Sequence, residues 1–232
     1  MHKPTLPALL SAALALGCLA TLPCAPAHAR VKRGAKHVAM EKFNAGPREL
    51  SVVATAQGPG KGNPESAALV RVQTADVAVC HLLILDAAAK VATKVLHSVR
   101  LPVCATYDKD ARSGRLKRVA LTTSRSAYLV SVYSKRMDSF AKGVETRRFW
   151  GLYADVGGGT KAVFERTSTS FTSHEDKNIN QAEECKAPAY AVEDEPTLLT
   201  ISCQIQTMLN GLPDRTHSEF QYRWQGGRFE LR

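Results

Sequence analysis

Ser139-Phe140-Ala141-Lys142 matches the SxxK pattern, in which a serine hydroxyl lies one helical turn from a lysine able to take its proton. The SDN and KTG partners of that chemistry occur nowhere in the chain, so the match reads as a chance one on a solvated turn. Ser173-His174-Glu175-Asp176 sets an imidazole beside two carboxylates, the makings of a general base or of part of a metal site. No second ligand set stands at metal-binding spacing, and the surrounding Ser/Thr-rich stretch reads as a loop between strands. Asp108, Asp110 and Gly114 are spaced loosely like a calcium loop, but the sixth place holds Ser113 instead of glycine and the twelfth has no glutamate. His81, among Leu82, Leu83, Ile84 and Leu85, reads as a hydrogen-bonded core histidine, not a metal ligand. HExxH, GxSxG, the phosphate-binding P-loop and GxGxxG are all absent. These residues imply no metal or cofactor, and a binding or structural module is expected before an enzyme.

Charge is the feature that stands out. Between Arg112 and Arg148 ten basic residues face two acidic ones, a net of +8, whereas Glu175 to Glu195 carries a net of −5. Arg115, Lys117, Arg118, Arg147 and Arg148 flank turns and strand ends, where basic side chains are accessible, and form the expected anion-binding set. The partners this predicts are anionic envelope components: a phosphorylated glycolipid, lipid headgroups or another polyanion. Nucleic acid fits the charge but no motif supports it. The competing expectation is a periplasmic or secreted hydrolase built around His174.

The compartment follows from the start of the chain. Lys3, the apolar run from Leu6 to Ala25 and the Ala27-His28-Ala29 site spell a secretory signal over residues 1–29. Pro4, Pro7, Pro23 and Pro26 leave that run too short to span a bilayer, and no later stretch replaces it, so a soluble periplasmic or secreted protein is expected. Lipidation at Cys18 is the weaker alternative, because Ala15 stands where a lipobox wants leucine. Cleavage after Ala29 removes Cys18 and Cys24 from the six cysteines and leaves Cys80, Cys104, Cys185 and Cys203. An even number in an exported chain predicts two disulfides, and sequence-local pairing favours Cys80 with Cys104 and Cys185 with Cys203.

A chain of 232 residues, 44% hydrophobic, has material for one ordinary core. The expected fold class is mainly β, an antiparallel meander closing into a sandwich or barrel-like domain over residues 50–232. Residues 30–49 are basic, without a sustained apolar period, and read as a flexible N-terminal arm. Leu199, Ile201, Cys203 and Ile205 alternate with polar residues and predict a half-buried strand with Cys203 inward. Phe220, Tyr222 and Trp224 alternate likewise, and Gly226-Gly227 supplies a two-residue turn into Phe229 and Leu231. That turn sets Trp224 opposite Phe229, Tyr222 opposite Leu231 and Arg223 opposite Glu230. Over 86–99 a short helix capped by Asp86 competes with a β-branched strand, and neighbouring strands favour the latter.

Overall fold

The computed structural model describes residues 27–57, 65–74, 77–86, 94–104, 113–138, 143–173, 179–209 and 212–232. Residues 1–26, including most of the expected signal and Cys18, lie outside them. So do Asp108, Asp110, Arg112, the SxxK stretch 139–142, and His174, Glu175 and Asp176.

Among the described residues one helix, α1 (Ala27–Phe43), precedes thirteen strands. The first four are β1 (Leu50–Gln57), β2 (Glu65–Gln73), β3 (Ala78–Asp86) and β4 (Lys94–Arg100), which pair antiparallel in that order as a small sheet. The second sheet holds β5 (Gly114–Ala120), β6 (Ser126–Asp138), β7 (Gly143–Asp155), β8 (Thr160–Ser173) and β9 (Ile179–Cys185). It continues through β11 (Leu198–Leu209), β12 (Leu212–Gln225) and β13 (Arg228–Leu231), in the order β13-β12-β11-β9-β8-β7-β6-β5. The two-residue β10 (Ala189–Tyr190) pairs with β11. The meander and the sandwich-like pair of antiparallel sheets expected from the alternation are therefore present.

Three layers explain the burial. Leu69, Leu82 and Ile84 of the small sheet meet Val130, Val132, Phe149 and Tyr153 of the large one to form the inter-sheet core. Leu50, Val52, Ala68, Val70, Leu83 and Leu85 face the other way, onto α1. With both faces covered, β2 and β3 read as continuous apolar runs, not as alternating ones. A third cluster joins Leu152, Ala154 and Phe164 to Leu199, Ile201, Tyr222 and Phe229, so the C-terminal strands fold back over β7 and β8. Arg166 fastens that fold: it donates to Tyr222 Oη at 2.8 Å, pairs with Glu183, and lies 3.8 Å from the centroid of Phe220.

The C-terminal hairpin has the expected register, Tyr222 to Leu231, Arg223 to Glu230 and Trp224 to Phe229. Gly226 and Gly227 take φ of 55° and 89°, the left-handed values this turn needs. Trp224 and Phe229 meet edge to face at 5.0 Å. Leu231, however, is 61% exposed, because the strand runs out at the sheet edge. Residues 94–100 form strand β4, as the β-branched pattern favoured; residues 87–93 lie outside the described residues.

The N-terminal arm corrects the expectation. Residues 27–43 form a helix docked on the small sheet, with Ala35, Val38 and Ala39 buried. Two of those three side chains are alanines, too small to raise an apolar signal above the surrounding charge. Asn44 closes the helix with φ of 47°, and Ala45 N–H donates to the Met40 carbonyl at 3.1 Å.

That docking covers His81. Its ring packs against Phe43 of α1, the centroids 4.4 Å apart and the planes tilted by 40°, and Nδ1 is buried without a hydrogen-bond partner among the described residues. Burial, then Arg100 opposite on β4, then Lys42 on the helix hold its pKa below the ordinary value of 6.5. The unfolded chain therefore takes up this proton first. The stability it confers is complete above about pH 6.5 and is lost as pH falls through the folded pKa. Thermal midpoints recorded across pH 5 to 8 should fall on the acid side. The His81→Gln variant should show a shallower fall, and an unchanged slope would contradict this account.

Candidate functional site

The five basic residues singled out by charge do not form one face. Arg115, Lys117 and Arg148 share a side of the large sheet with Ser131, Leu129 and Tyr133, the residues opposite them on β6. Arg118 and Arg147 stand opposite Tyr128 and Ser134 and point to the side that meets the small sheet. Period-two alternation requires this split, since Lys117 and Arg118, like Arg147 and Arg148, are consecutive on regular strands. Arg147 is also paired, its guanidinium donating to Glu145 Oε1 at 2.9 and 3.0 Å. It is thereby partly neutralised.

Arg148 does line a groove, of about 600 Å³. β7 supplies Arg148 and Trp150; Glu184 and Cys185 come from β9, and Lys186 and Ala187 follow it. β11 gives Ser202 and Gln204, and β12 gives Arg215, Thr216 and His217. Three permanent cations thus surround one carboxylate, Glu184. Among the described residues neither Arg148 nor Lys186 has an ion-pair partner, while Arg215 Nε donates to Gln206 Oε1 at 3.1 Å. Trp150 Nε1 is buried without a partner. Arg115 and Lys117 are exposed on the same side of the sheet as Arg148, two strands away.

Cys185, which lines this groove, is bridged to Cys203, and a second disulfide links Cys80 to Cys104, both as expected from spacing. Cys185 and Cys203 are direct cross-strand neighbours on β9 and β11. Glu183, Cys185 and Cys203 crowd together, but with both sulfurs in a disulfide they offer no thiolate to a metal.

Ser202 Oγ and His217 Nε2 lie 3.1 Å apart within the groove, a contact sequence reading did not anticipate. A nucleophilic serine needs its histidine oriented by a third group. Among the described residues no carboxylate is hydrogen-bonded to His217, which is exposed. The pair is therefore a polar patch able to donate to and accept from a ligand. Lys186, Arg215 and His217 had no local signal, because only the pairing of β9, β11 and β12 brings them beside Arg148. No protein-family model, curated protein or solved structure matches this chain.

Proposed function

We propose that the protein is an exported, non-enzymatic binding module of a bacterial-type cell envelope that holds an anionic component in the groove around Arg148. The convergence of Arg148, Lys186 and Arg215 on one groove with a single opposing carboxylate carries this reading. Three cations around a concave surface concentrate a phosphate- or carboxylate-bearing ligand, and arginine forks add directional hydrogen bonds. Two disulfides favour an oxidising compartment. Among the described residues no helix is long and apolar enough to cross a membrane.

The test is binding to zwitterionic phospholipid vesicles doped with an anionic phospholipid or with a phosphorylated glycolipid, titrated with salt. Binding should fall steeply as salt rises, because exposed ion pairs are screened. Reversing Arg148, Lys186 and Arg215 to Glu should weaken it by about 100-fold or more, at roughly 1 kcal/mol per charge, with little change in the thermal midpoint. Arg147→Gln, on the opposite side and already paired with Glu145, should bind as the wild type does. Binding that survives both salt and the triple reversal overturns the assignment. Turnover of a hydrolysable substrate would favour the hydrolase reading instead.

A further inference from the structure

A second cavity, of about 360 Å³, is lined by residues of both the small sheet and the large sheet. Its floor is two rows of the large sheet. Arg118, Tyr128 and Tyr153 stand opposite one another on β5, β6 and β7, and Asp155 and Thr160 form the next row on the same side. Glu65 and His97 lean in from the small sheet, Arg125 from the turn before β6, and Ile84 and Leu96 supply an apolar wall.

We propose that this cavity binds a small zwitterion of the amino-acid class, with Arg118 anchoring the carboxylate and Glu65 and Asp155 facing the ammonium group. The first observation is Arg118 itself: among the described residues its Nη1 is buried without a hydrogen-bond partner. A buried guanidinium N–H left without an acceptor is costly, and a carboxylate oxygen satisfies it with a charge-assisted bond. One oxygen of each lining carboxylate is already engaged within the protein. Glu65 Oε1 accepts from Tyr128 Oη at 2.9 Å, and Asp155 Oδ1 accepts the backbone N–H groups of Gly157 and Gly159 at 3.0 and 3.3 Å.

Charge balance is the second observation. Arg118 and Arg125 offset Glu65 and Asp155, so the cavity has no net attraction for a polyanion, unlike the groove around Arg148. A simple anion would lie against two carboxylates, and a simple cation against two guanidiniums. A molecule carrying both charges a few ångströms apart meets a complement at each end, and the wall of Ile84 and Leu96 leaves room for its side chain. This site is independent of the anionic partner proposed above, because its lining shares no residue with that groove.

Calorimetric titration and thermal-shift assays of the exported protein test this with glycine, leucine, glutamate and lysine. Acetate, ethylamine and glucose serve as single-charge and neutral controls. Saturable binding and a raised midpoint are expected with at least one amino acid and with none of the controls. Arg118→Gln should weaken that binding about tenfold or more, and Arg118→Lys should restore part of it. Glu65→Gln gives a second variant, expected to lower amino-acid affinity while leaving the unliganded fold intact by circular dichroism. Reversing Arg148, Lys186 and Arg215 should leave it unchanged. Absence of saturable binding by all four amino acids overturns the proposal. So does equal binding of acetate or glucose, or undiminished affinity in both Arg118→Gln and Glu65→Gln.

Discussion

Replacing Phe149 with alanine is expected to lower stability by about 4 kcal/mol, the upper range for removing a fully buried aromatic side chain. Phe149 has no exposed surface and sits in the inter-sheet core, opposite Val132 on β6 and beside Tyr153 along β7. Between the two rings lies Gly151, where a Cβ would come within 2.6 Å of Tyr153 and 2.8 Å of Phe149. The aromatic rings occupy the space a side chain would take, so truncating Phe149 opens a cavity that glycine cannot fill. Tyr133, next along β6 but on the opposite side of the sheet, is 39% exposed, and Tyr133→Ala should cost under about 1 kcal/mol. Urea unfolding separates the two cases if the slope stays constant while the midpoint moves. Equal losses would show that the two sheets do not pack through this face.

Part of this fold was legible beforehand and part was not. Strand β11 was visible from alternation, and its buried Leu199, Ile201 and Cys203 do alternate with more exposed residues. The C-terminal hairpin was legible to the register, since Gly226-Gly227 and two-faced alternation allow only one pairing. Helix α1 was not, because a stripe of Ala35, Val38 and Ala39 looks like background until a sheet lies under it. Neither was the groove. A count of charge along the chain picks out Arg112 to Arg148, yet alternation sends Arg118 and Arg147 to one side and Arg148 to the other. The cations that join Arg148 come from a stretch whose local charge is acidic, Lys186, and from the far strand β12, Arg215. Sites assembled by non-local strand pairing leave no local spacing to read. The cysteines behaved oppositely, because the even number left after the expected signal cleavage and the short separations restrict the pairing before any fold is known.

Removing either disulfide by paired Cys→Ala substitution should cost about 3 kcal/mol in the chain-entropy model. The bridged cysteines are 24 residues apart for Cys80–Cys104 and 18 apart for Cys185–Cys203, and a logarithmic dependence makes those closures nearly equivalent. Alanine is the better replacement, because Cys80, Cys185 and Cys203 are buried and a serine hydroxyl there would need an acceptor. Native-state roles differ more than the entropy does. Cys80–Cys104 ties the segment after β4, with buried Leu101 and Val103, to β3, where Leu101 N–H also donates to the Cys80 carbonyl at 2.9 Å. Losing it should loosen that segment locally, so amide exchange at Leu101 and Val103 should accelerate more than in the inter-sheet core. Cys185–Cys203 joins strands already held by a ladder from Cys203–Cys185 to Thr207–Gln181. Its loss should act mainly through the unfolded chain, lowering the midpoint by about 6 to 12 °C with little change in local exchange. Midpoints unmoved in both double variants would mean that neither bond forms in the protein, and the proposal of an oxidising compartment would fall with them.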